Sequence, residues 1–353
     1  MSIAVHRTAS PKTKLPDSEI GFGRIFTDHM FSMRWTTARG WHDAKISAHA
    51  PITLDPAAGA FHYGQTMFEG IKAFRTRDGQ VNLFAVDQHV ERMARGAPRL
   101  VMPALDVALA RLGIVELVKL DRDWVPSAPG TSLYIRPTLI ATESFLGVRP
   151  STEFLFFVIM TPVSPYYGGP HGDGLNPLSI RVERKLTRAA PGGIGATKAG
   201  ANYAASMLAA EDAKKDGFAQ VLWTDALTHK TLEEVGTMNV FMVIEGELVT
   251  PPLSDSILGG ITRWAILQLA KDLGIRASER TITVEEVQKG RATEAFGCGT
   301  ASIIAPIGEL EIDGKRVKIG SGQAGEITRM LYDALCAVRD GRAPDKHGWL
   351  TAC

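Results

Sequence analysis

The sequence predicts an α+β protein of two domains, and three observations carry that expectation. The chain has 353 residues, too many for one small core. Strand-like and helix-like segments are interspersed along it, without the strict βαβ alternation that builds a doubly wound sheet. Near the middle, PYYGGPHGDGLNP (165–177) packs four glycines and three prolines into a stretch that sustains neither a helix nor a central strand. We therefore place a first domain at 1–168, with 1–16 as a disordered arm, an interdomain loop at 169–178, and a second domain at 179–353. Two tyrosines in the 165–177 stretch exceed what a spacer needs, and a loop of this length in a compact chain is often functional.

The elements follow from local pattern. In the first domain VNLFAV (81–86) reads as a strand, and DQHVERMARGAPRL follows as a helix with Asp87 as its N-cap. VALARLGIVELVKL (107–120) has helical periodicity, while SLYIRPTLIAT and EFLFFVIMTPV are rich in β-branched and aromatic residues and read as strands. In the second domain LSIRVE is a strand, and YAASMLAAEDAKKDG is a helix stopped by Gly217. AQVLWTD is a strand, and NVFMVIEGELVTPP is a hairpin turning near Glu245 to Glu247. ITRWAILQLAKDLG (261–274) is an amphipathic helix begun at Thr262 or just before, and AGEITRMLYDALCAVRDG is the final helix.

Composition narrows the function classes. Lys plus Arg number 39 against 38 Asp plus Glu, so no net field gathers nucleic acid or anionic lipid, and any bound anion needs a local site. Cys298, Cys336 and Cys353 lie far apart without CxxC spacing, which argues against a disulfide framework and a zinc site and for a reducing compartment. The longest strongly apolar run, FLFFVIM (154–160), is far too short to span a bilayer. The first sixteen residues are basic and lack both acids and an apolar h-region, so no secretory signal is expected.

The chemistry concentrates in PGGIGATKAGANYA (191–204), which sets Lys198 among four glycines. Such a lysine either helps cradle a phosphate or is itself a nucleophile. A phosphate loop of the G-x-x-x-x-G-K-[ST] type needs glycine before the lysine and a hydroxyl after it; here Thr197 precedes and Ala199 follows. The dinucleotide fingerprint fits Gly193 and Gly195 but finds Lys198 where its third glycine belongs. A solvated surface lysine is the ordinary alternative. The glycines leave room beside the backbone, however, and a lysine in a tight, partly desolvated pocket becomes a nucleophile toward carbonyls. That is the requirement for Schiff-base chemistry with pyridoxal phosphate. The cofactor would further need a carboxylate at its pyridine nitrogen, an anion cup for its phosphate and a hydroxyl donor near the lysine. LEEVGTMNVF offers Glu233 or Glu234, LGGITRW offers the N–H groups of Ile261 and Thr262 at a helix start, and FGCGTAS offers Thr300.

With those residues assembled, GGIGATKAGANY, EEVGTMNVF, GGITR and RATEAFGCGTAS resemble the signature segments of branched-chain aminotransferases, the class IV (fold type IV) pyridoxal phosphate enzymes. FHYGQTMFEGIKAFR (61–75), HVERM (89–93) and SLYIRPTLIATE (132–143) match the N-terminal half of the same family in the same order. The resemblance implies a smaller α/β N-terminal domain and a larger C-terminal domain with a pseudo-barrel of strands and flanking helices. It implies Lys198 as Schiff-base lysine and proton shuttle, Tyr203 at the cofactor's phenolic oxygen and Glu234 at the pyridine nitrogen. It also implies Arg92 at the phosphate, with Ile261, Thr262 and Thr300 completing the cup and Arg188 approaching it. Tyr63, Phe68, Tyr134, Arg136, Val148, Tyr166, Thr237 and Ala301 correspond to substrate-pocket residues, Thr237 also touching the cofactor. Read without the family, Tyr63 and Phe68 are ordinary core residues and Val148 a loop contact, whereas Arg136 in an apolar strand requires an anionic partner.

The implied activity is transamination of leucine, isoleucine and valine with 2-oxoglutarate, giving branched 2-oxo acids and L-glutamate by a ping-pong mechanism. A cytoplasmic homodimer is implied with it, and no nucleic acid, membrane or metal is expected. Some relatives carry a Cys-x-x-Cys pair after the Thr-Ala turn; Ser302 and Ala305 stand there, so thiol regulation of that kind is not expected, and Cys298 is read as an inert packed thiol. D-amino-acid transaminases and aminodeoxychorismate lyases are the rivals within class IV. A non-catalytic phosphate-binding module is the rival outside it.

Overall fold

The computed structural model describes residues 3–167 and 175–353, and the statements below concern these. They form two compact units. The first takes the chain up to Tyr166 together with Thr197–Ala201 and Arg339–Cys353; the second takes Tyr167–Ala196 and Asn202–Val338. Of the connection expected at 169–178, residues 169–174 lie outside the described residues.

The first unit carries strands β1 (Ala4–Val5), β2 (His29–Thr36), β3 (Gly40–Ala48), β4 (Thr66–Phe68), β5 (Ile71–Arg75), β6 (Val81–Phe84), β7 (Ser132–Ala141) and β8 (Glu153–Val163). Its helices are α1 (Gly59–Tyr63), α2 (Val86–Gly96) and α3 (Val107–Leu120). The second carries β9 (Leu178–Glu183), β10 (Gln220–Thr224), β11 (Leu232–Val235), β12 (Met238–Ile244), β13 (Glu247–Thr250), β14 (Ala277–Glu279), β15 (Ala292–Gly299), β16 (Ile303–Ile312) and β17 (Lys315–Lys318). Its helices are α4 (Gly200–Lys215), α5 (Ile261–Asp272), α6 (Val284–Gln288) and α7 (Glu326–Arg339), after which β18 (Leu350–Ala352) returns to the first unit.

The first sheet runs β1-β3-β2-β8-β7-β5-β6-β18, with β4 on β7. Phe31, Phe156, Leu133 and Ile135 from its strands pack with Ile114, Leu117 and Val90 from α3 and α2 in one apolar core. Close approach is enforced at Gly113, where a Cβ would stand 2.5 Å from the Phe31 ring. Asp106 caps α3, accepting from the Leu109 N–H at 2.9 Å.

Four expectations change here. Asp87 does not cap α2; Ala85 does, in the left-handed region at φ 51°, with its N–H donating to the Trp349 carbonyl at 2.6 Å. Asp87 instead pairs with Arg111 on α3 at 2.5 Å. The arm expected to be disordered is tied down from residue 3 onward. β1 pairs in parallel with Lys45 and Ile46, satisfying backbone groups on the open edge of β3, and the Lys12 ammonium donates to the Thr27 carbonyl at 2.8 Å. α7 is not the last element, because β18 pairs with β6 and covers that edge of the sheet. Finally Thr197–Ala201 joins the first unit through the backbone of β4.

In the second unit β9, β10, β11, β12, β15 and β16 pair successively and close on themselves, since β11 bonds β12 and β16 bonds β9. This barrel-like ring is the architecture expected, with β13, β14 and β17 as appendages. Its interior holds Val240, Met242, Ile180, Leu222 and Leu310. The β12–β13 hairpin turns at Glu245 and Gly246, both at positive φ, as a tight two-residue turn requires. No helix among the described residues is long and apolar enough to cross a membrane.

Candidate active site

In the first unit β4 seats the lysine. The Phe68 N–H donates to the Lys198 carbonyl at 3.1 Å, and Met67 and Ala199 form a β-bridge. Lys198 is half-buried, and its Nζ lies 5.1 Å from the centre of the Phe68 ring. Gly200 is required where a Cβ would come within 2.6 Å of the Thr66 hydroxyl. On β7 the Arg136 guanidinium stacks 4.7 Å over Phe68 and 5.3 Å over Tyr134, with Nη2 donating to the Tyr134 hydroxyl at 3.2 Å. Its Nε is buried and has no partner among the described residues, so the cation-π contacts leave donor capacity for an anion. Phe22 packs against both Tyr134 (5.3 Å) and Tyr166 (5.2 Å). The first unit thus gathers Phe68, Tyr134, Arg136, Tyr166 and Lys198. Tyr63 donates its hydroxyl to the Leu146 carbonyl, and Val148 stands apart at 87 % exposure.

Arg92, on α2, lies against Glu69. Its Nε donates to Oε1 at 2.7 Å and its Nη2 to Oε2 at 2.8 Å, and His89 Nδ1 reaches Oε2 at 2.9 Å. Burial alone would raise the Glu69 pKa, but the charge of Arg92 and the hydrogen bonds from His89 and Arg92 outweigh it and hold the carboxyl well below the usual range.

In the second unit β11 sets two adjacent glutamates on opposite faces. Glu234 is buried; its Oε1 accepts from Asn239 Nδ2 and the Leu258 N–H, both at 3.0 Å, and its Oε2 lies 2.8 Å from Arg188 Nη2. Glu233 is half-buried, accepts from the Ser256 hydroxyl at 2.5 Å, and is raised in pKa by burial. Arg188, Tyr203, Glu234 and Thr237 line one small pocket with Asn202, Ser206 and Leu258. Arg188, expected near the phosphate, faces Glu234 and also donates to the Ser256 carbonyl. The space beside the glycines is filled by protein: a Cβ at Gly193 would stand 2.8 Å from the Ala190 carbonyl, and one at Gly195 2.6 Å from the Ser256 backbone. Those glycines serve a tight loop packing, not an opening.

Ile261 and Thr262 open α5, are buried, and follow Gly260, an N-cap without a side-chain bond to the first turn. Thr300 and Ala301 form the turn from β15 into β16, with Ser302 donating to the Met238 sulfur at 2.9 Å. Cys298 is fully packed in β15, and burial pushes its thiol far above the ordinary value.

Residues 66–310 match the model of the family described as Amino-transferase class IV. The chain belongs to that family. It is 46% identical over 347 residues to the branched-chain-amino-acid transaminase 1 of Bacillus subtilis, covering 97% of both chains. The crystal structure of the Escherichia coli branched-chain amino acid aminotransferase superposes with a TM-score of 0.74 at 28% identity, covering 90% of this chain and 98% of that one. The branched-chain amino acid aminotransferase from Thermobaculum terrenum, in its pyridoxal phosphate holo-form, matches with a TM-score of 0.72 at 25% identity, over 91% and 97%.

The class IV aminotransferases use pyridoxal phosphate, and the residues present fit it. Glu234 accepts from two neutral donors and faces an arginine, a setting that favours the charged carboxylate a protonated pyridine requires. A Cβ at Gly260 would stand 1.9 Å from Asn239 Oδ1, so only glycine admits both that amide and an uncapped, anion-ready start of α5. Sequence reasoning missed Glu69, His89 and Asn239. The signals were there: Glu69 is the lone acid in TMFEGI, and His89 and Arg92 share a helix face at i,i+3.

Proposed function

We infer that this class IV aminotransferase is a branched-chain-amino-acid transaminase, exchanging amino groups between leucine, isoleucine or valine and 2-oxoglutarate. The observation that carries the reading is the 46% identity to a branched-chain transaminase over 97% of both chains, with lysine, arginines and glutamate of the implied set present. Pyridoxal phosphate, when bound, supplies a carbonyl that takes up amines and a cationic ring that accepts electrons from the substrate's α-carbon. Lys198 Nζ removes the α-proton and returns one, acting as base and then acid. Glu234 keeps a proton on the pyridine nitrogen, and Arg188 together with Asn239 keeps Glu234 charged and oriented. Tyr203 holds the phenolic oxygen; Arg92, Thr300 and the first N–H groups of α5 hold the phosphate. Arg136, backed by Tyr134, takes a substrate carboxylate, while Phe68, Tyr63, Tyr166, Val148, Thr237 and Ala301 surround the side chain. The oxo acid leaves before 2-oxoglutarate enters, giving ping-pong kinetics. We also infer a cytoplasmic homodimer, supported by the family likeness and by sparse cysteines without CxxC spacing; a light-scattering mass of 38.2 kDa contradicts the dimer.

The test is a spectrum and a substrate panel. With added pyridoxal phosphate the protein develops a visible absorption band that Lys198→Ala lacks. It forms glutamate from all three branched L-amino acids, at kcat/KM values within about 100-fold of one another. Activity with D-alanine and none with L-leucine overturns the reading.

A further inference from the structure

We propose that Glu69 and His89 are positioning residues for Arg92, fixing one edge of its guanidinium and so setting the orientation in which it would hold the cofactor's phosphate. The proposal rests on the reading of Arg92 as the arginine of that phosphate. Glu69 sits at the junction of β4 and β5, its own N–H donating to the Pro137 carbonyl at 2.8 Å and its side chain 1 % exposed. Two N–H groups on one edge of Arg92 go to the two oxygens of this one carboxylate, at 2.7 and 2.8 Å. His89, one turn before Arg92 on α2, and the Gly70 N–H (3.2 Å) complete the donors around the carboxylate.

A guanidinium is a rigid fork, so fixing one edge orients all five of its N–H groups. An arginine that closes on a phosphate from solvent would have to lose side-chain entropy at that moment; here it is ordered beforehand. Burial disfavours a second proton on His89, so it donates from Nδ1 without adding a cation beside Arg92 and Lys198. The chain also couples this clamp to the lysine: Phe68 bonds the Lys198 carbonyl through its N–H, and the next residue is Glu69. One dipeptide therefore sets the placement of both Arg92 and Lys198.

A carboxylate that only held α2 onto β4 would give the same contacts, so the test must read the phosphate specifically. Apoprotein variants are titrated with pyridoxal phosphate and with pyridoxal, which lacks the phosphate, following the visible band, with thermal midpoints recorded alongside. Glu69→Gln is expected to weaken pyridoxal phosphate by about 10-fold and pyridoxal by less than about twofold. His89→Leu should show the same selectivity at a smaller size. In the Arg92→Ala background, Glu69→Gln should add nothing. Equal weakening of both ligands, or no weakening of either, overturns the proposal. If Glu69→Gln does not fold, Glu69→Asp carries the same comparison, with the same two outcomes. Failure of Arg92→Ala itself to separate the two ligands overturns instead the assignment of Arg92 to the phosphate.

Discussion

Glu69 in the first unit and Glu234 in the second are both buried carboxylates paired with an arginine, and they are built for opposite purposes. Glu69 receives both N–H groups of one Arg92 edge, an imidazole and a backbone N–H. Its charge is matched by the arginine it holds. Glu234 is gripped on Oε1 by two neutral amides, with Arg188 at Oε2. The two amides fix the carboxylate's position and Arg188 favours its ionised form, which suits one that must stabilise a cation. The same residue pair thus makes a held cation in one place and a held anion in the other.

The comparison breaks most visibly at Glu234. Glu234→Gln keeps the shape and the donors to Oε1 but removes the charge, and kcat is expected to fall about 10²–10³-fold in steady-state assays at saturating cofactor. A kcat within about threefold of the parent would make Glu234 a structural acid like any other.

The Glu69 clamp is sharpened by acid. Its folded pKa is depressed, so its stabilisation is fully present above the ordinary value of 4.5 and is lost as the pH falls through the folded value. Denaturant unfolding should therefore show Glu69→Gln about 3–5 kcal/mol less stable than the parent at pH 7, with the gap narrowing below pH 4.5. A gap independent of pH contradicts a charged Glu69.

Smallest are two glycine substitutions, one against the amide that donates to Glu234 and one at the residue that follows Glu69. At Gly260 a Cβ would meet Asn239 Oδ1 at 1.9 Å, and at Gly70 it would meet the Tyr134 hydroxyl at 2.0 Å. Each Ala variant is expected to lose about 1–3 kcal/mol in thermal unfolding. Gly260→Ala should also lower kcat, because Asn239 must turn away from Glu234, whereas Gly70→Ala should raise KM through Tyr134 and Arg136.

Much of the fold was legible because its pattern is local. α3 lies where apolar periodicity placed it, β8 where β-branched and aromatic residues cluster, β9 at LSIRVE, and the β12–β13 turn at its glycine. What stayed hidden depends on distant chain. Asp87 looks like a cap until Trp349, 262 residues on, is seen holding Ala85 in the left-handed region. The hairpin β2–β3 carries Arg, His, Asp and Lys among its apolar residues and gives no clean alternation. At the site, Lys198 announced itself through its glycines, although those glycines answer to Ala190 and Ser256. Glu69 and Asn239 look like ordinary polar residues beside turns; only tertiary burial turns them into holders of charged partners.

The strand Leu350–Ala352 also sets an order of events during synthesis. It pairs with β6, and the Cys353 N–H donates to the Val81 carbonyl at 2.8 Å, so the first unit needs chain made at the very start and again beyond residue 339. The second unit has all of its residues once Val338 has been added. The unit that is translated first is therefore completed by chain made after the whole of the second unit, and until that strand pairs the β6 edge of its sheet stays open.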